Sequence, residues 1–203
     1  RVHAIKLSID LFLINLKKKV MIGEKFKFRQ VENNMKNYAT ISDKKKIEDE
    51  KPLDDRLEAS SIYQQLSITA KKFPAKNALS FQLKSGPNDP AETLSWEELK
   101  SEVTKTSNAL RAIGIKETDV VAYVLPNCTE AIVSFLAGST VGIVCPISPL
   151  LSSEQIAGIL NEVNAKVVIT LKAFPKTDVA QRVDEALALA YGVKTLIEID
   201  LLR

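Results

Sequence analysis

The chain has 203 residues, of which 45% are hydrophobic and 26% are charged, and this is enough for one globular domain with an arm. Its net charge of +3 is small and its basic residues are interspersed with acidic ones, which gives no support for a protein that binds nucleic acid. Cys128 and Cys145 lack the spacing of metal ligands and His3 is the one histidine, so both cysteines are predicted to be small, reduced hydrophobic residues.

The first 25 residues are interpreted as an upstream extension or an arm, with Met21 as the expected native start. A signal peptide or a membrane span does not fit residues 1–20, because Asp10 interrupts the short apolar run and three lysines follow it. A basic amphipathic arm that touches a membrane surface is the alternative. Residues 26–59 mix acidic and basic side chains with few apolar ones, so they are predicted to form a polar, charged arm or linker.

The main domain is predicted to begin with a helix over about 60–72, capped by one of the two serines at its start. Ser61 and Gln64 have the spacing of a capping box. Alternation of apolar and polar residues then predicts a strand over 77–83 and a shorter one near 92–95. A long loop joins them, so an antiparallel hairpin is expected.

A longer helix follows the hairpin. Ser95 and Glu98 again have capping-box spacing, and apolar residues recur every three or four positions from Trp96 to Ile113. Gly114 stands where a helix C-terminus favours a left-handed residue. The pattern predicts a helix that buries one stripe of apolar side chains and exposes its other side to solvent.

The stretch 119–150 is predicted to form a strand, a helix and a second strand. The two strands, 119–125 and 143–147, carry almost no charge, as expected for parallel strands that are covered on both faces. Asn127 is predicted to cap the helix with Glu130 as its capping-box partner. The helix is predicted to have one apolar face, formed by Ile132, Phe135 and Leu136.

Strands and helices continue to alternate toward the end of the chain. The later predicted elements are a helix capped by Ser152 with Gln155, a strand over 166–170, a helix that begins at Thr177 or Asp178, and a strand over 194–199. This order predicts an α/β fold: a layered sheet with parallel βα units from about residue 119, preceded by a helix and a hairpin.

The residues that could carry chemistry do not form a recognisable site. The turns after the predicted strands have no glycine cluster, and neither phosphate-binding glycine motif occurs. Ser134 and Ser139 lie in a predicted helix, without the glycine-flanked elbow that exposes a nucleophile. We therefore assign no catalytic residue, no cofactor-binding residue and no metal ligand.

Two short motifs stand in a fixed order along the predicted domain. The first is Ser95, Trp96, Glu98 and Leu99 within LSWEEL, and the second is Ala137-Gly138 followed by Val144–Pro149 within GIVCPISP. Together with the segments 108–138 and 142–170, these motifs resemble the N-terminal portion of AMP-forming acyl-CoA synthetases, members of the adenylate-forming ligase superfamily.

The resemblance implies an enzyme that binds ATP, with Mg²⁺, and a carboxylic acid, forms an acyl-adenylate with release of pyrophosphate, and transfers the acyl group to coenzyme A. A medium-chain or long-chain fatty acid is the expected acid, and a cytoplasmic location is expected, with peripheral contact to the inner face of a membrane as the alternative. The family's phosphate loop, nucleotide-contacting residues and catalytic lysine have no counterpart in this sequence. Residues 60–203 are therefore interpreted as the N-terminal part of the AMP-binding domain, expected to be inactive and to bind none of these cofactors by itself.

A second hypothesis remains open. The chain would then be a stand-alone, non-catalytic α/β module that binds a small ligand or a partner.

Overall fold

The structure is a computed structural model that describes residues 39–84 and 86–201. The interpretation of residues 1–25 as an extension or arm lies outside the described residues, as does most of the first half of the predicted charged linker. The chain divides into two compact units, the first ending at Pro52 and the second beginning at Leu53.

In the first unit, the described residues form helix α1 (Ile41–Glu50). Thr40 caps it through a complete capping box with Asp43, and Lys44 pairs with Glu48 at 3.3 Å. The helix buries no residue, so it is solvated as the predicted linker would be. The composition did not predict the helix, because its stability depends on local capping and i,i+4 pairs rather than on burial.

The second unit contains the α/β domain. Its elements in chain order are α2 (Leu53–Arg56), α3 (Ile62–Lys72), β1 (Asn77–Phe81), β2 (Glu92–Ser95), α4 (Trp96–Ala112), β3 (Val120–Val124), α5 (Thr129–Val141), β4 (Ile143–Ile147), α6 (Ser153–Glu162), β5 (Ala165–Leu171), α7 (Val179–Leu189) and β6 (Thr195–Ile199). The order of a helix, a hairpin and then alternating βα units confirms the predicted fold class.

The hairpin and the helices beside it form as predicted, with two differences. β1 ends at Phe81, two residues before the end of the predicted strand, and the capping of α3 differs. β1 and β2 pair antiparallel, and Ser95 with Glu98 makes the complete capping box of α4. Ser61 caps α3 by accepting a hydrogen bond from the Gln64 backbone at 3.1 Å. The Gln64 side chain, however, accepts from the Ser60 N–H at 2.8 Å, so the predicted reciprocal bond is made one residue earlier.

The main sheet has four parallel strands in the order β4-β3-β5-β6. β3 lies between β4 and β5, with Val121 opposite Val144 on one side and Val167 on the other. The chain therefore moves from β3 to one neighbour and then returns across β3 to the other side.

Helices cover both faces of this sheet. On one face, α4 and α5 pack through Val103, Leu110 and Ala137 against strand residues such as Val121 and Ile169. On the other face, α6 and α7 pack through Ile156, Leu160 and Val183 against Ala122 and Val168. Two separate cores result, as expected for parallel strands without charge.

The prediction for the start of α5 is wrong. Cys128, not Asn127, is the N-cap, and it makes no side-chain cap hydrogen bond, so the expected box between Asn127 and Glu130 does not form. The helix begins one residue later than predicted, because Cys128 is the residue with extended backbone immediately before the helix.

The apolar face predicted for α5 is not its buried face. Ile132 is 43% and Phe135 is 37% exposed, and Leu136 is half-buried. The buried face of the helix instead consists mostly of small residues, which are Ala131, Ser134, Ala137 and Gly138. Thr129 and Val141 are buried as well. Small residues let α5 approach its neighbours closely: a Cβ on Gly138 would lie 3.1 Å from the Val144 side chain.

Among the helices of the described residues, none is both long and apolar enough to cross a bilayer.

Candidate functional site

A crevice is expected where the strand order reverses, between the carboxyl ends of β3 and β5. The connections that leave these two strands diverge to opposite sides, and ligands of open α/β sheets bind at such points. The structure has a cavity of about 610 Å³ in this place. It is the candidate site of the domain.

The cavity is formed by the loops that follow several strands. Its walls include Pro126 and Asn127 after β3, Pro149 and Leu150 after β4, Phe174 to Val179 after β5, Leu201 after β6, and Phe81 to Leu83 at the end of β1 and just after it. Most of these side chains are apolar or aromatic, which suits the planar or apolar part of a ligand.

Arg182 of α7 organises one wall. Its guanidinium donates to the backbone carbonyls of Pro149, at 2.7 Å, and of Leu151, and it pairs with Asp178 at 2.9 Å. Its Nε is buried without a hydrogen-bond partner among the described residues. Two of these contacts hold the loop after β4 in place, and the third is made to the N-cap residue of α7, so most of this guanidinium is occupied by the protein itself.

The remaining polar groups of the cavity are few. Asn127, which does not cap α5, lines the cavity instead, and so does Lys176, whose φ of 64° is in the left-handed region. A non-glycine residue rarely adopts this conformation, and the turn between Phe174 and Thr177 requires it. Gln82 and Thr177 also line it, so the described residues bring two amides, one hydroxyl and one ammonium group to the cavity, but no paired nucleophile and base.

A second cavity, of about 400 Å³, lies between the hairpin and the ends of β3 and β4 and is lined in part by Cys128. Only 4% of Cys128 is exposed, and burial raises the pKa of its thiol to about 11. Burial also raises the pKa of the Cys145 thiol. Both thiols are free, and at neutral pH both stay protonated and poorly nucleophilic.

A third cavity, of about 550 Å³, lies on the α4 and α5 side of β6. Its floor is formed by Ile169, Ile197 and Ile199, and its rim carries the carboxylates of Glu92, Glu98, Glu102 and Glu130. The isoleucines of β6 are only half-buried there. This face of the sheet is therefore incompletely covered by the described residues.

The serines considered in the sequence do not reach the candidate site. Ser134 is buried within α5, and Ser139 donates its hydroxyl hydrogen to the Phe135 carbonyl at 2.8 Å. Among the described residues, no group of three or more His, Cys, Asp or Glu side chains could hold a metal ion. The cavity wall and Arg182 were missed by sequence reasoning, since no local motif marks a helix arginine that reaches a loop some 30 residues away.

The residues of the two sequence motifs stabilise the fold. Ser95 and Glu98 form the capping box of α4, and Leu99 is one of the residues that α4 buries. Ala137 and Gly138 bring α5 close to the sheet, and the stretch from Val144 to Pro149 forms β4 and the wall that Arg182 holds.

The comparisons with known proteins agree with this architecture. The family model for AMP-binding enzymes matches residues 66–201. A marinolic acid–CoA ligase of Pseudoalteromonas is 28% identical over 131 residues, which is 64% of this chain and 20% of that protein. An acetyl-coenzyme A synthetase of Photobacterium profundum is 37% identical over 107 residues, 50% of this chain and 16% of that protein.

A solved structure, described as that of a long-chain-fatty-acid CoA ligase from Rhodopseudomonas palustris, has a TM-score of 0.59 at 22% identity. The match covers 70% of this chain and 33% of the other, and it supports the fold. Because the family model matches well over half of its residues, this chain belongs to the AMP-binding enzyme family. It spans only 20% and 16% of the length of the two curated relatives described above.

Proposed function

We propose that the chain is the N-terminal part of an ATP-dependent acid–thiol ligase, an AMP-forming acyl-CoA synthetase. The whole enzyme activates a carboxylic acid as an acyl-adenylate and transfers the acyl group to coenzyme A, with ATP and Mg²⁺ as cofactors. The observation that carries the proposal is the family match over residues 66–201, in which both sequence motifs occupy structural positions of the α/β scaffold.

The acid is proposed to be a fatty acid, and the enzyme is proposed to be cytoplasmic. One similar protein, from Bacillus subtilis, is a long-chain-fatty-acid–CoA ligase that is 31% identical over 116 residues, 55% of this chain and 19% of that protein. Peripheral contact with a membrane through residues 1–20 is the alternative. Liposome pelleting that disappears when those residues are removed would support it.

The described residues do not fit Mg²⁺ and ATP. Among the described residues, Asp178 is the one carboxylate that lines the candidate site, and it is already paired with Arg182. In the described part of the chain, no glycine lines the cavity, so no glycine backbone amides of these residues converge there on a phosphate. We therefore propose that this chain by itself binds none of the cofactors and is inactive, and that it acts as scaffold.

Acid-dependent exchange of labelled pyrophosphate into ATP tests both the ligase activity of the whole enzyme and the inactivity of this chain by itself. The 203-residue chain and the longest translation product that contains it are assayed with acetate and with fatty acids of several lengths. We expect exchange from the longer product and none from the chain. Exchange by the chain would contradict its inactivity, and absence of exchange from the longer product with every acid would contradict the ligase.

The second candidate function is a stand-alone binding module, which the apolar cavity at the strand ends favours. A complete module should bind little hydrophobic dye. Part of an enzyme should bind the dye strongly, because Ile197 and Ile199 lie at an open face. Dye fluorescence of the purified chain, compared with that of the longer product, separates the two.

A further inference from the structure

A small cavity lies at the amino ends of the parallel strands, at the opposite edge of the sheet from the candidate site. Its walls come from the turn after α4 and from residues at the starts of β3, β5 and β6. Its volume of about 90 Å³ is far below the volumes of about 400 Å³ and 610 Å³ of the two cavities at the carboxyl ends. Cavities that hold organic ligands are usually larger than about 300 Å³, so this one suits a small ion.

Lys166 reaches this cavity from an irregular position of the sheet. Val120 of β3 pairs with Ala165 of β5. The next residue of β3, Val121, pairs with Val167, so Lys166 is an extra residue of β5 without a partner in β3. A register shift of this kind is rare between parallel strands, and it turns a side chain in a new direction. The shift thus accompanies a charged, half-buried side chain that lines the cavity.

A second lysine lines the cavity from the adjacent position. The Lys194 N–H donates to the Lys166 carbonyl at 2.8 Å, so the two residues are neighbours at the starts of β5 and β6. The Lys166 ammonium donates to the side-chain oxygen of Asn164 at 2.9 Å, which leaves two of its N–H groups for another acceptor. In the part of the chain that the structure describes, neither lysine forms an ion pair. Two positive charges this close repel each other, and an anion between them would remove the repulsion.

The other polar side chains of the cavity are those of Asp119 and Thr195. The Asp119 carboxylate accepts a hydrogen bond from the Lys116 N–H at 2.9 Å, so it belongs to the turn before β3. The Thr195 hydroxyl can donate to an anion. Among the described residues, two ammonium groups and one carboxylate line the cavity, so its net charge is positive and favours an anion over a cation.

We propose that this cavity binds a small tetrahedral oxyanion, such as inorganic phosphate or sulfate, with Lys166, Lys194 and Thr195 as the donors. The oxygens of such an ion point in several directions, so it can accept from both ammonium groups and from the hydroxyl at once. The site is at the opposite ends of the strands from the candidate site. It goes beyond the proposed function and does not rest on it.

Urea unfolding of the 203-residue chain in sodium phosphate at neutral pH tests the site, with sodium chloride of the same ionic strength as the reference. An ion that binds the folded state alone should raise the unfolding midpoint and then saturate, with a dissociation constant of about 1–10 mM. Sulfate should have the same effect. Phosphate and sulfate also stabilise folded proteins by exclusion from the surface, but that effect does not saturate and requires no particular lysine.

Substitution of the two lysines separates the effects. Lys166→Gln and Lys194→Gln should each weaken the saturable effect by about tenfold, because each removes a charge-assisted hydrogen bond. The double variant should lose the effect. Without phosphate, the double variant should be at least as stable as the unmodified chain, because the repulsion between the lysines is gone. A structural role of the lysines would instead lower its stability.

The matched control is the double variant Lys71→Gln and Lys84→Gln, which removes two exposed lysines outside the cavity and changes the net charge equally. It should keep the saturable effect. A phosphorus NMR titration needs no variant, since the phosphate resonance of the unmodified chain should broaden in a saturable manner. Absence of saturable binding in the unmodified chain, its persistence in the Lys166 and Lys194 double variant, or its loss in the control would each overturn the proposal.

Discussion

Gly142 lies where α5 ends and the chain turns into β4. A Cβ at this position would lie 2.5 Å from the Asp119 carbonyl oxygen and 2.8 Å from that of Lys116. Its φ of −162° is extended backbone that any residue can adopt, so the requirement for glycine is steric. The Ile143 N–H donates to the same Asp119 carbonyl at 2.9 Å, which holds the close approach at the start of the strand pair.

Gly142→Ala should lower the free energy of unfolding by about 1–3 kcal/mol, because backbone atoms must move to admit the methyl group. Gly158→Ala is the matched control, since no atom lies within 4 Å of its added Cβ and it stands inside helix α6. The control should raise stability by about 0.5–1 kcal/mol. Urea unfolding of both variants checks this, and a similar loss in both would refute the steric explanation.

At the scale of elements, the same capping box starts two helices with different surroundings. Thr40 with Asp43 caps α1, which buries no residue, and Ser95 with Glu98 caps α4, which buries Leu99, Val103, Ser107 and Leu110. The capping hydrogen bonds are equivalent in the two helices. Of the two, α4 is the helix that packs in the core, so the loss of its cap should affect the stability of the domain.

Ser95→Ala should therefore lower the free energy of unfolding by about 1 kcal/mol, because the Glu98 N–H loses its acceptor at 3.2 Å. Thr40→Ala removes an equivalent bond but should only fray α1, with little change in the cooperative transition. Circular dichroism and urea unfolding distinguish the two results. Equal losses would mean that α1 contributes to the core after all.

The capping box of α4 also predicts a pH dependence. Hydrogen bonds from the backbone N–H and the hydroxyl of Ser95 lower the pKa of Glu98 below its ordinary value of 4.5. Ionised Glu98 therefore adds stability above that value, and this contribution is lost as the pH falls through the lower pKa of the folded state. Glu98→Gln should lessen the loss of stability in acid, whereas Glu97→Gln, in the same turn, should not. Unfolding midpoints at several pH values measure the difference.

The loop after β4 depends on an element distant in sequence. Arg182→Met removes the donors to the Pro149 and Leu151 carbonyls and should cost about 1–3 kcal/mol. Amides of the loop should also exchange faster. Arg111→Met is the control, because its guanidinium makes one long bond, of 3.5 Å, to the Thr140 carbonyl. If the loop exchanges equally in both variants, Arg182 does not hold it.

At the scale of the whole domain, the sheet separates two cores that share no helix. Val103 of α4 and Val183 of α7 are both 0% exposed and belong to different clusters. The backbone of the parallel strands lies between these clusters. A cavity that a substitution creates in one core should therefore leave the packing of the other core unchanged.

Val103→Ala and Val183→Ala should each cost about 2 kcal/mol, from lost burial and an unfilled cavity. The double variant should lose the sum to within about 0.5 kcal/mol. Denaturant unfolding of the three variants measures the coupling. A departure of more than about 1 kcal/mol from the sum would show that strain crosses the sheet.

Features that depend on nearby residues were predictable. The alternation of strands and helices, the caps of α4 and α6, and the left-handed Gly114, whose φ is 93°, all follow from short-range patterns. The candidate site was not predictable in this way. Its walls come from five separate loops, and Arg182 reaches one of them across the domain.

The sequence by itself determined the class of fold and the family resemblance, because hydrophobic period, capping pairs and motif order are properties of contiguous residues. Only the tertiary structure decided which side of α5 is buried, which strands are neighbours and where the strand ends leave a cavity. The large residues Ile132 and Phe135 face outward because α4 and the sheet need small side chains to approach α5 closely. Local hydrophobicity cannot reveal that requirement, since it belongs to the neighbours of the helix and not to the helix itself.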